Sequence, residues 1–149
     1  KALDDLAAKA PENMRYSIYL MQAEFAMQDQ DYSRAEQAYA TAAKLDADGA
    51  MGLMAALGQA GALIKLDRPA DAVTLLQGLE SRATEDGRAT LRMLLGEAAE
   101  AAGKTDVAVA AYEALAASQP GLDGEFYRSR AEALGGGKTA PVKDGAENK

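Results

Sequence analysis

Residues 89–122 read ATLRMLLGEAAEAAGKTDVAVAAYEALAASQPGL, and the parsing of this stretch decides the fold. Apolar side chains recur at three- and four-residue steps on both sides of a polar break at residues 103–106. That is the mark of two amphipathic helices joined by a short turn. Alanine dominates both halves, so the helices can approach closely, and each needs a neighbour to cover its apolar face.

The same pattern occurs twice more upstream. Residues 16–49 read YSIYLMQAEFAMQDQDYSRAEQAYATAAKLDADG, and residues 53–86 read LMAALGQAGALIKLDRPADAVTLLQGLESRATED. Their polar breaks fall at residues 28–32 and 67–70. Ala35, Ala72 and Ala108 take equivalent places early in each second helix, at spacings of 37 and 36 residues. Four residues later stand Tyr39, Leu76 and Tyr112, and three further on Ala42, Leu79 and Leu115. On the first helices, Ala23, Ala60 and Gly96 form the matching column of close contact. A repeat of this length means stacked supersecondary units, with three copies enough to share one core.

These marks resemble the tetratricopeptide repeat, whose pattern is W-x2-L-G-x2-Y, then A-x3-F, then P. The third copy matches best, through Leu95-Gly96, Ala108-x3-Tyr112 and Pro120. The first keeps Ala35-x3-Tyr39 with Gln22-Ala23, and the second keeps little beyond Ala72 and the apolar columns. The resemblance implies an all-α fold of antiparallel helix-turn-helix pairs stacked into a right-handed superhelix of about eight helices. The family repeat is about 34 residues long. The residues in excess of it, such as 50–52, are expected to lengthen the junctions by about a turn.

Residues 2–13, ALDDLAAKAPEN, look like the second helix of an earlier repeat closed by Pro11, a half repeat with Leu3, Leu6, Ala7 and Ala10 apolar. Residues 122–134 form a capping helix carrying Phe126, Tyr127, Ala131 and Leu134. Residues 1–134 are thus expected as one domain. Residues 135–149, GGGKTAPVKDGAENK, lack apolar periodicity and are expected to be disordered.

Composition removes several function classes. The chain has 149 residues, 48% hydrophobic and 26% charged, with no cysteine and no histidine. Disulfides, thiolate nucleophiles, zinc fingers and histidine bases are excluded. A net charge of −7 opposes binding to nucleic acid or to an anionic membrane surface. No apolar run approaches the roughly 20 residues of a membrane span. Gly135-Gly136-Gly137-Lys138-Thr139 ends like a phosphate-binding loop, but Glu132 stands at its first glycine and Pro141 follows where a helix should start. Asp46-Ala47-Asp48-Gly49 has its glycine two places early for a calcium loop, and Leu57 replaces the bidentate glutamate. Carboxylate pairs such as Asp4-Asp5 and Glu97/Glu100 fall on helix faces and read as solvated surface. No catalytic residue, metal site or cofactor is expected.

What remains is a groove. In the resembled family the first helix of each pair lines a concave protein-binding face. The matching positions here are Leu20, Glu24 and Met27, then Met54, Leu57 and Ile64, then Met93 and Glu97, with Tyr127 closing the row. The basic carboxylate clamp that some family members use on chaperone tails is missing from this set. Methionine and leucine beside glutamate suit an adaptable apolar contact or a mildly basic segment of another protein. Phrases such as LDDLAAKAPEN and EFYRSRAEAL resemble bacterial periplasmic, membrane-anchored members of the family, of the ancillary translocon-subunit type. That implies an anchor upstream of Lys1, a periplasmic or envelope location and a role in envelope protein assembly. A cytoplasmic regulatory adaptor and a module that self-assembles through its N-terminal end stand as alternatives.

Overall fold

The computed structural model describes residues 2–135. Of the expected disordered tail, residues 136–149 lie outside the described residues, as does the side chain of Leu3. The described residues hold no strand, and eight α-helices follow one another. They are α1 (Ala2–Lys9), α2 (Glu12–Gln28), α3 (Tyr32–Leu45), α4 (Ala50–Lys65), α5 (Pro69–Leu79), α6 (Glu85–Ala101), α7 (Thr105–Ser118) and α8 (Leu122–Ala133), with one 3-10 turn (Glu80–Arg82) after α5. The fold is all-α, as the periodicity requires. Each helix packs on the next through a short connection, and α4 also touches α6 directly.

The turns inside the three pairs are the same object built from three different sequences. Asp31, Arg68 and Lys104 donate their N–H groups five residues back, to the carbonyls of Ala26, Leu63 and Ala99, at 2.8, 3.0 and 2.8 Å. Gln30, Asp67 and Gly103 donate to Met27, Ile64 and Glu100 at 3.1, 3.1 and 3.0 Å. This is the Schellman pattern, which satisfies the last carbonyls of the outgoing helix. Its left-handed residue is Gln30, Asp67 or Gly103, at φ 61°, 58° and 69°. The residue after it is at once the N-cap of the incoming helix, and its carbonyl accepts the N–H of Ala35, Ala72 or Ala108. A three-residue turn therefore sets the alanine column directly.

Only the third turn uses glycine for the left-handed position, where an L side chain costs on the order of 1 kcal/mol. Replacing Gln30 and Asp67 by glycine should accordingly raise stability by about 1 kcal/mol at each position, read as a higher urea midpoint with an unchanged slope. A lower midpoint would mean that the two native side chains hold the turn in some other way.

The alanine and glycine columns are buried, as the spacing predicts. Ala23, Ala35, Ala60, Ala72 and Ala108 are fully buried, and Gly96 is buried as well. A methyl group added to Gly96 would run into the ring of Tyr112, and one on Gly58 would lie 2.6 Å from the ring of Tyr39. Two small residues thus admit two large rings. The main core runs from Leu53 to Ala131 and contains Leu76, Leu91, Leu115 and Val73, all essentially inaccessible. The N-terminal pair relies on a much smaller cluster of Ala26, Ala35 and Ala62, with Met27 and Tyr39 against it. Gln22, buried in α2, has a side-chain amide nitrogen without a hydrogen-bond partner among the described residues.

Residues 50–52 are the first turn of α4 rather than part of the connection before it. Likewise α2 starts at Glu12 and α6 at Glu85, so the extra residues extend the first helices to 16 or 17 residues. Pro11 is the N-cap of α2, extended at ψ 150°, so it opens this helix as much as it closes α1.

The third residue of α4, α6 and α8 is always glycine: Gly52, Gly87 and Gly124. A methyl group on Gly52 would strike the carbonyl oxygen of Asp46, and one on Gly124 that of Gln119. The same methyls would sit 3.0 Å from the carbonyl of Ala43 and 3.1 Å from that of Ala116. The ends of α3 and α7 therefore pass directly over the starts of α4 and α8, whereas Gly87 of α6 faces the Leu53 side chain of α4 instead. Apolar periodicity does not mark this column, because glycine offers no side chain to count.

Candidate functional site

Two of the clefts along α6 bear on the expected face. The first lies between α6, α7 and α8, has a volume of about 610 Å³, and is lined by Met93, Glu97, Glu100, Tyr112, Tyr127 and Arg130 among others. The second lies between α4 and α6, has a volume of about 590 Å³, and is lined by Leu53, Met54, Leu57, Thr90 and Leu94 with Gly87 at its floor. Glycine at that last position lets the chain pass close to Leu53, whose Cδ2 would be 3.2 Å from an added methyl.

The sequence-derived face divides between these clefts and other surroundings. Met54, Leu57, Met93, Glu97 and Tyr127 line one cleft or the other. Met54 is 70% exposed while Leu57, one turn on, is 7% exposed and belongs to the main core. Met93 and Tyr127 are half-buried and lean on that core. Leu20, Glu24, Met27 and Ile64 line neither cleft. Met27 packs on the N-terminal alanine cluster, Ile64 packs on the main core, Leu20 is half-buried and Glu24 is exposed. Met93 and Met27 therefore combine packing with partial exposure, and the face is richest toward the C-terminal half.

Residues outside the predicted row complete the first cleft. Tyr112 stacks on Tyr127 with ring centroids 6.0 Å apart and planes 16° from parallel, and Phe126 meets Tyr127 edge-on at 5.3 Å. These are favourable aromatic geometries. Phe126 is nonetheless 64% exposed at the lip. The Tyr112 hydroxyl donates to Glu100 Oε2 at 3.2 Å, Arg130 Nε donates to the same oxygen at 3.1 Å, and Arg130 Nη2 pairs with Glu100 Oε1. One carboxylate thus ties α6 to both α7 and α8. The adjacent Phe126-Tyr127 pair was the available sequence signal for this cleft. The Glu100–Arg130 pairing, across 30 residues, had none.

Burial raises the Tyr112 hydroxyl above the ordinary tyrosine value of 10, and the charge of Glu100 and its hydrogen bond raise it further, to about 12. Tyr39 and Tyr16 are also raised, first by burial and then by acidic neighbours. A raised value in the folded state means that the neutral phenol is favoured there. The stabilisation is complete below pH 10 and is lost as pH climbs from 10 toward about 12. Stability should fall over that window, and Tyr112→Phe should flatten part of the fall. The same variant should remove a phenolate that appears only well above pH 10. Loss of a phenolate that titrates near pH 10 instead would show that Tyr112 ionises like an exposed phenol.

Among the described residues no helix is long and apolar enough to cross a membrane. Compared with known protein families, with curated proteins and with solved structures, the chain has no match in any of the three.

Proposed function

We propose that this chain is a non-catalytic protein-interaction module of the tetratricopeptide type, which holds a segment of another protein along the exposed face of α4, α6 and α8. The observation that carries the reading is the pair of clefts sharing α6, with Met54, Met93 and Phe126 left partly or largely open to solvent beside Glu97. Apolar side chains of this size left accessible at concave sites mark places where another molecule docks. Methionine adapts to differently shaped ligands at small energetic cost, which suits a partner-tolerant scaffold. The three identical turns and the alanine and glycine columns support the repeat type. An extended or helical ligand loses ordering entropy on binding, so micromolar affinity is expected, weakening as salt rises.

The test is capture of partners from native extract by the parent chain and by a Met54→Glu, Met93→Glu double variant, one change in each cleft, with circular dichroism confirming the fold. The variant is expected to lose its partners. Retention of every partner by a folded variant would move the binding surface elsewhere.

A second reading has its own observation. At the N-terminal end Leu6, Met14, Met21 and Phe25 are each about half exposed, and Met14, Met21 and Phe25 share one face of α2. That apolar end supports self-assembly of stacked copies. The compartment we favour, the bacterial envelope, rests on the resemblance alone, and fractionation of cells carrying the full-length gene product tests it.

A further inference from the structure

We infer that the cleft between α6, α7 and α8 is a subsite for an arginine side chain of the bound partner, and that Arg130 occupies part of it as an internal competitor. This rests on the interaction-module reading and names what the partner must carry. Glu97 and Glu100 are three residues apart on α6, so both carboxylates project from the same side of the helix. Among the described residues only one guanidinium, that of Arg130, lines the cleft with them, which leaves one negative charge in excess. Beside the carboxylates lies the half-buried ring of Tyr127, backed by the buried ring of Tyr112, and Met93 supplies an apolar wall. Carboxylates next to aromatic faces are a chemistry that selects cations, and a planar guanidinium satisfies both at once.

The chain supplies its own precedent. Arg130 reaches from α8 to pair with both oxygens of Glu100, using Nε and Nη2 in the fork geometry that favours arginine over lysine. Its side chain is half exposed, and the pair is therefore open to exchange with solvent and with a competing guanidinium. Glu97 is exposed and offers a second carboxylate to that group. Phe126, largely bare at the lip, stands where an apolar residue flanking the arginine would be covered. Removing Arg130 should accordingly improve the site, and removing Glu97 should weaken it.

The experiment is an NMR titration of the full chain with a blocked pentapeptide, leucine-flanked with arginine at its centre, and with its uncharged citrulline counterpart. The arginine peptide should shift the ring signals of Phe126 and Tyr127 at millimolar concentration or below, and the citrulline peptide should not. Glu97→Gln should weaken binding about fivefold, and Arg130→Gln should tighten it by a similar factor. Equal shifts from both peptides, no shift at millimolar peptide, or weaker binding by Arg130→Gln would each overturn the subsite. If the peptide fails while the Met54→Glu, Met93→Glu variant still loses its captured proteins, the module reading stands and the arginine subsite alone falls.

Discussion

Gly52→Ala is expected to destabilise the protein by about 3 kcal/mol, a fall in melting temperature of about 10 °C. In an ordinary helix the same change would stabilise by roughly 0.5–1 kcal/mol, since alanine is the better helix former. The sign reverses because the new methyl would collide with the backbone of Asp46, lying 2.7 Å from its carbonyl carbon and 3.0 Å from the carbonyl oxygen of Ala43. Backbone cannot rotate aside as a flexible side chain can. The junction between α3 and α4 would have to open, and the hydrogen bond from Gly52 N–H to Asp46 Oδ2, 3.0 Å long, would go with it. Gly78, which has nothing within 4 Å of an added methyl, is the internal control. Gly78→Ala should be neutral or stabilising. Matching behaviour of the two variants in thermal unfolding would show that the α3–α4 crossing is looser than described.

Ala108→Leu should cost about 2–3 kcal/mol through overpacking. Ala108 is fully buried in the main core, and its N–H closes the α6–α7 turn on Lys104 at 3.1 Å. Three extra carbons there would wedge α7 from α6, at the level where Tyr112 already fills the space over Gly96. Because α7 also carries α8, the effect should spread. The Tyr112–Tyr127 stack would separate, and the chemical shifts of both rings would move toward solvent values. A variant that melts with the parent protein would show that this alanine does not set the helix spacing.

These two positions divide what the chain reveals by itself from what it does not. Ala35, Ala72 and Ala108 are legible because they recur at fixed spacing within a 3.6-residue pattern, and the pattern is local to each helix. The same local logic yields eight helices, the three polar turns and the burial of Leu76 and Leu115. The structural equivalence of the turns is less visible, since Gln30, Asp67 and Gly103 share a backbone conformation and not a residue type.

The candidate site was half legible for a physical reason. Periodicity fixes which side of a helix is apolar, but the neighbours on both flanks decide which part of that side is covered. Met54 and Leu57 lie one turn apart in α4, yet the first stands in solvent and the second closes the core between α4 and α6. Glu100 reads in sequence as one more solvated carboxylate. Only the packing of α7 on α6 and of α8 on α7 brings Tyr112 and Arg130 to it, joining residues 12 and 30 positions away. By itself the sequence determined the all-helical pairs and their small-residue register, because those rest on contacts within one repeat. Tertiary structure decided which glycines are obligatory, which methionines face solvent and where the charged aromatic cleft lies, because each of these depends on how separate helices meet in space.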